Sequence, residues 1–109
     1  MIEITVDEVN SRIKNREEVY LFIYTPLCGT CSLAKRMMDV VEEMLPSLQI
    51  SSMNLNQAPD FAQTWEVKSV PALFIFQKGF RVKEMYAFHS IMYVHQLLKP
   101  YSLMEKGEI

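Results

Sequence analysis

The sequence is sparing with residues that punctuate a chain: three glycines and five prolines in 109 positions. So few exclude a collagen-like, low-complexity or disordered polymer. Positive charge is not in excess either. Eleven Lys and Arg against thirteen Asp and Glu leave a net charge of −2, so neither nucleic acid nor an anionic membrane is an expected partner. Apolar runs such as Val19 to Tyr24 fall well short of the roughly 20 residues that span a bilayer. The opening Met1-Ile2-Glu3-Ile4-Thr5-Val6-Asp7-Glu8 has no basic start and no long apolar stretch. That argues against a secretory leader and for a cytosolic location. What is present is a chain 50% hydrophobic and 22% charged. It is long enough for one domain, residues 1–109, whose core needs no metal or disulfide framework.

Hydrophobic periodicity lays out the elements. Val9 and Ile13 mark a short amphipathic helix over Asp7 to Lys14. Val19 to Tyr24 is continuously apolar, β-branched and aromatic, as in a central strand buried on both faces. Thr25-Pro26 breaks it. From Cys28, the residues Cys31, Ala34, Met38, Val41 and Leu45 fall on one helical face, and Pro46 ends that helix. Ile50 to Leu55 predicts a strand, Asn56 to Pro59 a turn, and Asp60 to Thr64 a short helix. Ala72 to Phe76 is a second apolar strand, turned by Gln77-Lys78-Gly79 into a hairpin partner, Phe80 to Tyr86. Ser90 caps a last helix that Pro100 is expected to stop, leaving 101–109 as a tail that includes Glu105 and Lys106. The order is β-α-β-α-β-α-β-β-α, an α/β arrangement with a central mixed sheet flanked by helices.

Both cysteines lie in one segment, Cys28-Gly29-Thr30-Cys31. Closing so short a loop removes little entropy from the unfolded chain, and a reducing compartment would not keep it as a passive staple. The pair therefore asks for a chemical role. Cys28 stands just after a strand and at the start of a helix, where unpaired N–H groups and the helix dipole favour an anion. Such placement lowers a thiol pKa into the range of roughly 3.5–7.5. Cys31 lies about one turn inward, close enough for a disulfide and less exposed. Cys28 is thus the candidate attacking thiol and Cys31 the candidate resolving thiol. Two alternatives stay open: a pair of small core residues, or half of a zinc site. A zinc site needs two more ligands. His89 and His95 do not share a helix face, and no second Cys-x-x-Cys exists.

Over nearly its whole length the chain resembles thioredoxin. The strand Val19–Tyr24 runs into the dithiol, Asn54-Leu55-Asn56-Gln57 precedes the short helix, and Ser69-Val70-Pro71-Ala72 opens the next strand, with Gly79 at the hairpin. The resemblance implies a thioredoxin fold and a thiol–disulfide oxidoreductase with no prosthetic group beyond the cysteine pair. Its implied partners are disulfide-containing proteins and a thioredoxin-reductase-type electron donor, and a monomer is expected. Pro71 resembles the family's cis-proline, which leaves the Val70 backbone open to pair with an extended substrate segment. Leu27, Gly29 and Thr30 around the dithiol complete the implied contact surface. Trp65 either flanks that surface or packs inside.

Several positions depart from the family pattern Trp-Cys-Gly-Pro-Cys. Leu27 removes an aromatic from the contact surface, while Thr30 restores a backbone donor and brings a hydroxyl near the sulfurs. Phe22 occupies the place of the family's buried aspartate, and Ser52 that of a lysine near it. Losing both together strands no buried charge. Deprotonation of Cys31 should suffer, unless water or another group substitutes. Arg36 replaces a helix-kinking proline. With no histidine between the cysteines, a cytosolic reductant is favoured over a disulfide-forming oxidant.

Other features have plain readings. Met37, Met38 and Met44, among eight methionines, fit irregular core filling better than an adaptable contact surface or metal delivery. Lys35-Arg36 and Glu42-Glu43 read as a solvated helix face, and His89 and His95 as ordinary, partly exposed residues. Three other functions remain in view. One is a glutaredoxin-type reductase of mixed disulfides with small thiols, which the Ser69-Val70-Pro71 segment also resembles. Another is a binding adaptor with incidental thiols, and the third a thiol-based metal carrier.

Overall fold

The computed structural model describes residues 1–105. Lys106, and with it the end of the expected tail, lies outside the described residues. Two apolar runs form the middle of the sheet. Strand β2, Val19–Tyr24, pairs in parallel with β3, Ile50–Asn54, and antiparallel with β4, Ala72–Gln77. Strand β1, Ile2–Glu3, lies parallel beside β3, and β5, Phe80–Met85, antiparallel beside β4. The five-stranded order is β1-β3-β2-β4-β5, the mixed α/β arrangement that the residue pattern predicts.

Alternation along the central strands divides the core into two layers. Tyr20 and Phe22 of β2 join Leu73 and Ile75 of β4 on one face. Helices α2, Gly29–Met44, and α4, Ile91–Glu105, cover that face through Ala34, Met38, Val41, Val94 and Leu98. Val19, Leu21 and Ile23 join Ala72, Phe74 and Phe76 on the other, beneath α1, Val6–Lys14, and α3, Pro59–Thr64. Thr5 caps α1 by accepting the Glu8 N–H at 3.2 Å. The hairpin between β4 and β5 turns on Lys78 and Gly79, both at positive φ (55° and 87°). A two-residue turn whose twist matches the strands requires that backbone, and glycine adopts it without steric cost.

Several boundaries shift by a residue, with Val6 and Pro59 joining the helices that follow them, Gln77 joining β4 and Tyr86 lying outside β5, and two differences have a clear physical cause. Leu55 leaves the strand early for a 3-10 turn, Leu55–Gln57, where the Asn54 side chain accepts the Asn56 N–H at 3.0 Å. The larger correction concerns Pro100. Ser90 caps α4 as expected, accepting the Tyr93 N–H at 3.1 Å, but the helix continues through Pro100 to Glu105. Proline removes one helical hydrogen bond, and the turn beyond it is held by tertiary contacts instead. The Tyr101 ring packs edge-on against Tyr20, with centroids 6.0 Å apart. The buried Ser102 hydroxyl bonds the Ser47 hydroxyl at 2.8 Å.

Candidate active site

Strand β2 ends at Tyr24, and Thr25-Pro26 turns the chain so that Cys28 arrives at the first turn of α2. The Cys28 N–H donates to the Thr25 carbonyl at 3.3 Å, and Cys28 itself is the N-cap. Its sulfur accepts the Cys31 backbone N–H at 3.1 Å, the position a serine or aspartate oxygen usually takes. That N–H and the helix dipole would stabilise a Cys28 thiolate. The Thr30 hydroxyl lies 3.3 Å from the same sulfur, a second polar group able to donate to it. Cys28 is half-buried, whereas Cys31 is only 4% exposed. The two are joined as a disulfide.

The loop before β4 reaches the dithiol from the opposite side. The Val70–Pro71 bond is cis, and the Val70 carbonyl oxygen lies 3.9 Å from the Cys28 sulfur. Val70, Pro71 and Thr30 line a groove of about 370 Å³ that continues over Met37, Phe88 and His89. Leu27 stands fully exposed beside the dithiol, and Gly29 is exposed with open space around its Cα. The structure thus brings together Leu27, Cys28, Gly29, Thr30, Cys31, Val70 and Pro71. Trp65 packs, as Val70 also does, on the core cluster of the other sheet face. Its ring packs on Phe76 at 5.0 Å and Phe61 at 6.3 Å, and its carbonyl accepts a hydrogen bond from Arg81. It lines neither the groove nor the recess described next, so its contacts are those of a packing residue.

Behind the dithiol is a second recess, of about 150 Å³, bordered by Phe22, Tyr24, Cys28, Cys31 and Lys35. Phe22 and Ser52 are register partners on β2 and β3, and both are buried. The Phe22 ring stacks on Tyr24 (6.2 Å) and meets Phe88 edge-on (5.8 Å). The place of the family's acid is therefore filled by an aromatic cluster. The Tyr24 hydroxyl donates to Glu3. Burial first, then the hydrogen bond and negative charge of Glu3, push its pKa up to about 12. At the groove, burial likewise raises the Tyr86 phenol, helped by its hydrogen bond to Glu84 and opposed by the Lys68 N–H.

Two residues assigned no role from the sequence border the site. His89, at φ 50°, lines the groove with its ring edge-on to Tyr93 at 4.6 Å. Only the fold reveals that the β5–α4 connection ends beside Pro71. Lys35 borders the recess, and its spacing of four from Cys31 was a usable signal, because helical neighbours at that spacing share a face. Among the described residues no group of three or more His, Cys, Asp or Glu is placed to hold a metal ion. None of the described helices is long and apolar enough to cross a membrane.

A sheet of this order, with a cysteine pair opening the helix that follows its central strand, defines a thiol–disulfide oxidoreductase of thioredoxin fold. Comparison with known proteins carries the assignment further. The thioredoxin family model matches residues 1–98, and the chain belongs to that family. It is 45% identical over 84 residues to the thioredoxin-like protein YusE of Bacillus subtilis, covering 76% of this chain and 79% of YusE. Among solved structures, chloroplastic thioredoxin z superposes with a TM-score of 0.77 at 15% identity, covering 92% of each chain. Oxidised thioredoxin from Plasmodium falciparum superposes with a TM-score of 0.78 at 14% identity, covering 94% of this chain and 98% of that one. At those identities the structures attest the fold.

Proposed function

We propose that this chain reduces disulfides of substrate proteins in the cytosol by a Cys28–Cys31 relay, as a monomer with no prosthetic group. The Cys28 thiolate attacks one sulfur of the substrate disulfide. That bond breaks, a Cys28–substrate mixed disulfide forms, and the other substrate sulfur leaves as a thiolate. Cys31 then attacks the Cys28 sulfur, closes the internal disulfide and expels the second substrate thiolate. Two electrons pass from the dithiol to the substrate, and a thioredoxin-reductase-type donor restores them. Val70 and Pro71 are the docking edge for the substrate segment, with Leu27, Gly29 and Thr30 as its surroundings.

The observation that carries this reading is the asymmetry of the pair: a half-buried Cys28 at the helix N-cap, and a Cys31 only 4% exposed behind it. The test is trapping. Cys31→Ser protein should accumulate covalent mixed disulfides with disulfide-containing proteins, visible by mass and released by reductant, whereas Cys28→Ser protein should trap none. Full turnover of small-thiol mixed disulfides by Cys31→Ser would transfer the chain to glutaredoxin-type chemistry. Partner binding that is undiminished in Cys28→Ser would make it an adaptor.

A further inference from the structure

A relay of this kind needs Cys31 as a thiolate at the second step, yet its sulfur is buried on an apolar face. Burial alone disfavours the anion. Neither Phe22 nor its strand neighbours Ser52 and Leu73 can ionise to help. Four titratable groups border the recess, Cys28, Cys31, Tyr24 and Lys35, beside the hydroxyls of Thr25 and Ser32, which do not ionise. Behind Tyr24 stands Glu3, which holds the phenol as a donor, so Tyr24 keeps its proton and takes none from Cys31. Behind Lys35 stands Asp39, with its carboxylate 3.5 Å from the ammonium group and 4.0 Å from the Met1 ammonium. Lys35 is 60% exposed and Asp39 46%, so solvent weakens the hold of that carboxylate.

Resting on the relay reading, we infer that Lys35 is a positioning residue for the resolving step: its positive charge, one helical turn beyond Cys31, stabilises the Cys31 thiolate. The recess has room for several waters, each with a share of about 30 Å³ in the liquid. In the mixed disulfide, Cys31 S–H gives its proton to such a water. The thiolate, steadied by the Lys35 ammonium, attacks the Cys28 sulfur, and the expelled substrate thiolate takes a proton from solvent. The lysine transfers no proton. It makes the anion less costly where burial makes it more so. A unit charge at helical i,i+4 distance, partly screened by water, shifts a thiol titration by about half a pH unit.

A single turnover of the reduced protein with Ellman's reagent separates the two steps. The first equivalent of coloured thiolate reports attack by Cys28, and the second reports resolution by Cys31. In Lys35→Met protein the pH midpoint of the second phase should rise by about half a unit, a roughly threefold slowing below the midpoint. The first phase should move less, and Lys35→Arg should restore the wild-type profile. A purely structural role for Lys35 would move the urea midpoint and leave the pH profile alone. The inference is overturned if the second-phase profile of Lys35→Met overlays wild type, if both phases shift equally, or if Lys35→Arg fails to restore it. The relay itself fails, and this inference with it, if Cys31→Ser releases the second equivalent at the wild-type rate.

Discussion

Phe22 shows how the aromatic cluster behind the dithiol can be measured. Its side chain is 1% exposed and lies between the Tyr24 and Phe88 rings, with Ala34 and Met38 of α2 in the same cluster. Phe22→Ala deletes the ring and leaves a cavity that the strand, paired on both sides, is poorly able to close. Truncation of a buried Phe costs about 3–5 kcal/mol, a large part of the roughly 5–15 kcal/mol that stabilises an ordinary domain. At about 4–8 °C per kcal/mol, Tm should fall by at least some 12 °C. Urea unfolding of the reduced protein should show an earlier midpoint with the slope unchanged. Trp65 supplies an independent probe, because it belongs to the cluster on the opposite face of the sheet. Its fluorescence transition should move together with the circular dichroism, as cooperative unfolding requires. A loss below about 1 kcal/mol would show that Phe22 is not the packing element described here. A Trp65 transition left at its wild-type position would show that the two faces do not unfold as one unit.

Three further outcomes follow from particular contacts. Because the Tyr24 pKa is raised to about 12, above an unfolded value near 10, its contribution to stability is complete below pH 10. That contribution is lost as pH rises through about 12. Ultraviolet titration should therefore show equal phenolate absorbance for wild type and Tyr24→Phe up to roughly pH 11, and a deficit in the variant already at pH 10 would refute this. Thr30→Val removes the hydroxyl 3.3 Å from the Cys28 sulfur. It should raise the pH midpoint for alkylation of Cys28 in the reduced protein by about half a unit, and an unchanged midpoint would deny that hydrogen bond to the thiolate. Pro100 is exposed inside α4. Pro100→Ala should stabilise by about 1 kcal/mol or more, and an earlier urea midpoint would refute the view that packing beyond Pro100 holds the helix against it.

The central strands were legible because their apolar runs are continuous, as strands buried on both faces require. The hairpin was legible because Lys78-Gly79 carries its own turn chemistry. Pro100 misled because the rule against proline in helices is local, while the contacts of Tyr101 with Tyr20 and of Ser102 with Ser47 join residues at least 55 positions apart. The site divides in the same way. The first turn of α2 could be read from sequence, since Cys28, Thr30 and Cys31 are positioned by their own helix. The approach of Val70 to Cys28 could not, because 42 residues separate them and only resemblance linked the two. His89 was missed for that reason. Lys35 was missed for a different one: a charged helix face ordinarily means only solvation, and its spacing of four from Cys31 puts it on the same face without saying that the face borders a recess.

The replacement of a buried ionisable pair by Phe22 and Ser52 has a consequence for how stability and chemistry are coupled. A buried acid and its cation must be desolvated together, and the loss of either partner leaves a costly orphan charge. Stability then depends on the same proton that the chemistry uses. In this chain the sheet beneath the dithiol is uncharged at those positions, and the recess beside the cysteines is bordered by the solvated Lys35 of α2. A solvated lysine needs no buried partner, so its removal perturbs the resolving thiol without stranding a charge in the core. Phe22 then governs stability and Lys35 the titration of the resolving step. Substitution at the two positions should separate these properties, which a buried acid binds together.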